Sequence, residues 1–588
     1  MLYLFCFAGV AELADAPDLG SGIFRCAGST PVARTKYVSH GLCLWDILFL
    51  LSIYFKVTVL VLQAVKKGEG EILDSEKSFV KGAALLAFSG MVVKGLSAIY
   101  RIPITAMVGA EVMGRYTAVF NVFMPFFSLG VRGITPAVSR LCAGRETGGE
   151  IVRVKNGADG YFLKRIFIFY VLSLCFAFAY SNYTGKDFIL YGMALLSLNL
   201  FLAGKEAIYK GVSQGSGNMA LTAKANMTES LSKCLLGISR VYLAAKYGGE
   251  NRENLQFFAL ITAILIGGLI CVLYMKRGYD KHYKAIEPER KVNPHEYSKT
   301  SVPIAMSALA VSRANFFDAA VCLPMIERLP EGLLSAAYPY ASFTARQDKA
   351  VWLYGIYRGM CMTVRGIIPS ICGGVGTSGL PILSKYAATG NIPRAEKQAD
   401  KMIKLCAYVA LPAGMFLYSF GGAVISAVYG KTNSRTMIRG EFLKIASVTA
   451  IFNSMVFSLN AVLNSFGRSK AVFKNMLIAL AVKLPLGFIL CQRAEVNIKG
   501  CLYSGACFAL VTFALAYFAA EKSVKIKILS RAAVPFGVSY VFITFIKFLQ
   551  IKYCLAPLPF TLIFGGLFRL LYSVTALLWL FFIEKLSR

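Results

Sequence analysis

The stretch 79–101, FVKGAALLAFSGMVVKGLSAIYR, decides how the rest of the chain is read. It is longer than the ~20 apolar residues a helix needs to cross a bilayer. It contains no acid, yet Lys94 and Arg101 are cationic within it. Seven residues is about two helical turns, so the spacing predicts that both project from one face. A long cation near a helix end reaches the headgroups, which accounts for Arg101 taken alone. Lys94 lies deeper, and a matched pair on one stripe predicts a face turned to a water-filled cavity that receives an anion.

The composition carries this reading to the whole chain. Of 588 residues, 56% are hydrophobic and 16% charged, and the mean hydropathy is +0.59. A soluble chain of this length carries more charge, so the fold class is an all-α polytopic membrane protein. The short alternating segments of an outer-membrane barrel are absent. The formal net charge of +32 is dispersed between apolar spans. That pattern points to positive-inside topology and membrane lipids, and away from nucleic acid. The fifteen cysteines sit mainly in apolar segments without a CxxC pair, as small hydrophobes do. His40, His282 and His295 lie outside the predicted spans, which disfavours a histidine metal or acid–base centre. No catalytic residue, metal site or cofactor is assigned.

About fourteen spans are expected from Phe79 onward, centred near residues 90, 124, 173, 197, 232, 265, 312, 368, 412, 452, 480, 508, 540 and 572. Residues 1–64 read differently. AELADAPDLGSGIFRCAGSTPVART has no period and resembles a translated transfer-RNA gene, so a non-native leader with a native start near Val65 is expected. Trp45–Val65 is apolar enough to be an extra span. The basic segments 140–165, 276–299, 385–404 and 522–531 belong in the cytoplasm by the positive-inside rule, with both termini. The segment 431–444, with Lys431, Arg435, Arg439 and Lys444, breaks the alternation as an external loop.

The chain also repeats itself. GITPAVSRLCAGRE at 133–146 resembles GLPILSKYAATGN at 379–391, matching Pro136 with Pro381. GNMALTAKANM at 217–227 resembles GRSKAVFKNM at 467–476, matching Asn226 with Asn475. The separations, 245 and 249 residues, agree closely enough to imply a duplication. Two related six-helix lobes are therefore expected, an N-lobe within 65–299 and a C-lobe within 300–521, with two helices appended in 522–588. The substrate site of such a transporter lies between its lobes.

Cations recur on the spans that would flank that groove: Arg132 ends the second, Arg313 lies on the seventh, and Arg358 and Arg365 repeat the seven-residue stripe on the eighth. Asp318, a lone acid beside Arg313, reads either as a functional ion-coupling acid or as half of a structural pair. Lys205 and Glu206 read as a self-neutralised local pair.

The run VKGLSAIYRIPITAMVGAEVMGRYTAVF followed by GITPAVSRL resembles stage V sporulation protein B and its lipid II flippase-like relatives. These belong to the multidrug/oligosaccharidyl-lipid/polysaccharide flippase superfamily. NFFDAAVCLP at 315–324, WLYGIYRGM at 352–360 and SGLPILSKYAATGN at 378–391 extend the likeness toward the C-terminus. The resemblance implies a V-shaped two-lobe bundle in the bacterial cytoplasmic membrane. Such a bundle flips undecaprenyl-pyrophosphate-linked saccharide by alternating access. It implies a cationic cavity for this anionic lipid-linked oligosaccharide, with Lys94 and Arg101 where the family's first-span arginines lie, and cell-wall synthesis proteins as candidate partners. Sodium or protons are the candidate coupling ions. Some relatives hold sodium with an acid on the seventh span, for which Asp318 is the candidate here, and partners on the eleventh, where 470–491 contains no acid. Two other readings stand beside the flippase. A cation-coupled multidrug exporter of the same fold would need an acid in the first lobe. A membrane glycosyltransferase or polymerase would need acids on large external loops, and only 327–350 offers them.

Overall fold

In the computed structural model the described residues are 74–143, 147–283, 294–330, 348–429 and 433–521, with isolated positions 145, 286, 332, 337, 338 and 540. No strand occurs among them. The leader 1–64, the spans expected near 540 and 572, and most of the 327–350 loop lie outside the described residues. All twelve other expected centres fall in helices.

Helix α1 (Asp74–Gly130) covers the first two spans, separated where Gly109 takes φ 81° and ψ −179°, a conformation open to glycine. After a turn at Gly133 follow α2 (Ile134–Cys142), α3 (Gly148–Thr184), α4 (Asp187–Ser197), α5 (Asn199–Gly215), α6 (Met219–Tyr247) and α7 (Arg252–Tyr283). The second set begins with α8 (Pro294–Phe317), which runs through a π turn at Asp318–Cys322 into α9 (Leu323–Glu327). Then α10 (Lys349–Tyr354) passes through a π segment, Gly355–Cys361, into α11 (Met362–Ala388). The remainder is α12 (Ile392–Tyr429), α13 (Asn433–Ser465), α14 (Ser469–Cys491) and α15 (Lys499–Glu521).

The ends of these helices are written locally. Thr147 accepts from the Glu150 amide to start α3, as a capping box does, and Gly185 closes it in the left-handed region. Asn218 and Asp348 cap α6 and α10 in the same way.

Eight helical segments among the described residues are long and apolar enough to cross a membrane. The outer face of α3 presents Leu163, Phe167, Ile168, Val171, Leu172 and Phe178, a stripe that water would not tolerate and lipid would. Helices pack mainly within 134–283 and within 294–521. Helix α1 is the main bridge, contacting α3, α6 and α7 on one side and α8, α10, the 355–361 segment and α11 on the other. Its approach to the second set is backbone on backbone. A Cβ at Gly114 would stand 2.2 Å from the Val351 carbonyl oxygen, and one at Gly355 1.7 Å from that of Ala110. Only glycine fits there.

The segment around 431–444 is not the external loop expected from its charge. Arg435, Arg439 and Lys444 are helical, in the first turns of α13, and Arg439 is buried.

Candidate functional site

Helix α8 delivers Asp318 at the first position of a π turn, and the facing π segment delivers Tyr357 and Arg358. Short π insertions in helices are rare and commonly mark functional sites. The Asp318 carboxylate is buried. The Tyr357 hydroxyl donates to its Oδ2 at 2.9 Å, and the Arg358 guanidinium donates to the same oxygen at 3.1 Å. Arg358 also donates to the Asn315 side-chain oxygen at 2.6 Å and stacks over the Tyr357 ring.

The second carboxylate oxygen, Oδ1, meets Lys483 of α14 at 2.9 Å, while the Lys483 ammonium donates to the Ala314 carbonyl at 2.7 Å. The approach to Oδ1 is an ion pair rather than an aligned hydrogen bond, since that oxygen accepts none among the described residues. Lys483 is buried with it. Asp318 is thus clamped between two cations, neither of them its sequence neighbour Arg313, which is exposed on α8.

Arg101 and Arg365, like Arg358, are half-buried, and each of the three keeps a buried Nε without an acceptor among the described residues; Arg358 differs in spending a terminal nitrogen on Asp318 and Asn315. Arg101 lies one turn before Thr105, whose hydroxyl donates to the Arg101 carbonyl at 2.7 Å and whose methyl group faces Gly359. Arg365 lies near Arg358 and Tyr357. Helix α1, the 355–361 segment and α11, which carry Arg101, Arg358 and Arg365, pack directly on one another. Arg132 stands apart, exposed at the end of α1 over the Phe127 ring. Lys94 is on α1, but its side chain lies outside the described residues.

The local pair expected of Lys205 and Glu206 does not form. Lys205 reaches Asp159 of α3 at 2.8 Å, and Glu206 pairs with Lys210. Neighbours in a helix point about 100° apart, so each residue found a partner on its own face. Glu206 and Glu229 come together with Cys271, but Lys210 and Lys233 neutralise them. Cys322 meets Cys491 and Cys501, both remote from it in sequence, in the core, with the three sulfurs within 4.8 Å of one another.

The sequence reading missed Lys483, Asn315 and Tyr357, although a lone lysine inside the apolar run 477–491 was a visible signal. It also missed a cluster at the helix ends outside the spans. There Lys186, in the turn between α3 and α4, pairs with both Glu327 and Asp348, joining the first set of helices to the second. Burial pushes the Glu327 carboxyl up to about 7 despite the opposing pull of Lys186.

The sodium site implied by family resemblance does not fit these residues. Around Asp318 the donors face an ammonium and a guanidinium. A sodium ion about 4 Å from the Lys483 ammonium would be repelled by about 4 kcal/mol at an effective dielectric of ~20.

A protein family described as "Polysaccharide biosynthesis protein" matches residues 79–387. Stage V sporulation protein B of Bacillus subtilis (strain 168) is 22% identical over 451 residues, covering 74% of this chain and 82% of that protein. The lipid II flippase MurJ of the same organism is 20% identical over 434 residues, covering 71% and 78%. Among solved structures, a lipid II flippase MurJ in an inward closed conformation superposes with a TM-score of 0.59 at 13% identity, covering 86% of this chain and 100% of the other. An inward-facing multidrug resistance MATE family transporter does so with a TM-score of 0.56 at 14% identity, covering 75% and 98%.

Proposed function

The chain belongs to the polysaccharide biosynthesis protein family, and on that premise we propose that it flips an undecaprenyl-pyrophosphate-linked saccharide across the bacterial cytoplasmic membrane by alternating access, with both termini in the cytoplasm. The observation that carries the reading is the pair Arg101 and Arg365. Each is a half-buried guanidinium whose buried Nε meets no acceptor among the described residues, on elements that pack together. A cation at membrane depth costs at least ~2.5–3 kcal/mol on insertion scales, so it calls for water or an anion. A pyrophosphate supplies oxygens for the arginine fork, and a sugar-lipid carries it past the apolar helices. The names of the relatives, a sporulation protein and a lipid II flippase, support a cell-wall glycolipid as cargo.

The second reading is a cation-coupled drug exporter, favoured by the MATE-like superposition. The acids it would use in the first half, Glu206 and Glu229, are tied to lysines, which weighs against it. Reconstitution in proteoliposomes with defined undecaprenyl-linked substrates separates the two. Translocation of lipid II-like substrate supports the flippase. Its absence, together with drug sensitivity of cells lacking the protein, establishes the exporter.

A further inference from the structure

A carboxylate buried in a membrane helix bundle needs positive charge, and a transporter can supply it with a mobile ion or with a residue. Asp318 has Arg358 on one oxygen and Lys483 on the other. Arg358 alone would neutralise it. The lysine makes the cluster positive by one charge, an arrangement that hydrophobic burial alone disfavours. The position of the ammonium explains its presence. It lies 2.9 Å from a carboxylate oxygen that accepts no hydrogen bond among the described residues and 2.7 Å from the Ala314 carbonyl, between two hard oxygen donors of the kind a small cation takes. It arrives from α14, a helix remote in sequence from α8, and so ties the two together.

We infer that the Lys483 ammonium is the resident cation of the Asp318 carboxylate, a tethered substitute for a mobile ion, and that this chain takes up no sodium there. The Asp318–Lys483 contact is then a fixed strut between α8 and α14, and transport proceeds at the same rate in sodium and in a large inert cation. The substitution makes a further point. Removing the lysine returns the cluster to neutrality, with Arg358 still on Oδ2, and leaves an oxygen pair open to a small cation.

The inference rests on the chain being a transporter, but its assays read ion binding without cargo, so failure of lipid flipping and failure of this inference are separate results. Purified protein is melted in sodium chloride and in choline chloride at equal ionic strength, and saturable binding of radioactive sodium is measured. Wild type is expected to melt at the same temperature in both salts and to bind no sodium. Lys483→Ala is expected to melt lower in choline, to be raised by sodium and by methylammonium, and to bind sodium saturably. Adding Asp318→Asn should abolish that rescue. Lys483→Gln, which keeps the volume and a donor for Ala314, gives the same readings if the alanine variant does not fold. Saturable sodium binding by wild type that Asp318→Asn removes would overturn the inference. So would lysine-free variants that gain no response to either small cation.

Discussion

Arg101, Arg358 and Arg365 each keep a buried Nε that meets no acceptor among the described residues, but Arg358 also donates to Asp318 and Asn315 and lies over the Tyr357 ring. A charge-assisted hydrogen bond contributes ~1.5–3 kcal/mol, so losing one costs ~10- to ~100-fold in the affinity it supports. Arg101→Ala and Arg365→Ala are each expected to cut the flipping rate by that order while the protein still inserts. Arg101→Lys should recover only part, because an ammonium cannot make the two-pronged contact. Arg394, exposed near the start of α12, serves as the control. Wild-type flipping by both alanine variants at normal expression would dismiss the anionic-headgroup reading. Asp318 makes a different prediction. Asp318→Asn strands two buried cations, a loss of ~3–5 kcal/mol for a broken buried pair. Melting of the purified protein should fall accordingly and recover in part when Lys483→Met is added. A single variant as stable as wild type would mean that the clamp contributes nothing.

At the scale of elements, the crossing of α1 with α10 and the 355–361 segment depends on Gly114 and Gly355. An added methyl would overlap a carbonyl oxygen at either position. Gly355→Ala should lower stability by ~1–3 kcal/mol, the usual cost of forcing volume into a packed site. An unchanged melting temperature would show that the helices have room to part. The Lys186–Glu327–Asp348 cluster adds a pH dependence. Glu327 is raised from 4.5 to about 7, so the folded chain holds a proton there that the unfolded chain releases. Stability contributed by that proton falls as pH rises from about 4.5 to about 7 and is level above. The difference in melting temperature between wild type and Glu327→Gln should therefore change across this window. Parallel curves would place the Glu327 titration elsewhere.

For the whole molecule, the repeat predicts that residues 79–276 and 300–520 superpose about an axis near the membrane normal. The turns at Gly217 and Gly467, both left-handed, each lead two residues later into a helix, α6 and α14, which suits that prediction. An experimental structure in which these two turns occupy unrelated places would end it. Alternating access predicts that Lys186→Cys paired with Asp348→Cys, once oxidised, arrests flipping and that reduction restores it. Undiminished flipping by the cross-linked form would mean that this end never opens. The helices were legible in the sequence because a bilayer demands long apolar runs, and every expected centre within the described residues is helical. The partners of Asp318 were not. Lys483 meets it across 165 residues of chain, and no periodicity records such a pairing. Likewise Arg439 read as a loop charge because its burial arises only when α13 packs.

The glycine crossing sets the leverage of any motion. Two backbones this close form a bearing with almost no radius, and rotation about it would have to release the Asn121–Tyr354 and Ser128–Ser312 hydrogen bonds. From Gly114 to the end of α1 at Gly130 the helix extends about 24 Å at 1.5 Å per residue. A turn of about 10° at the bearing would carry that end roughly 4 Å, nearly the rise of one helical turn.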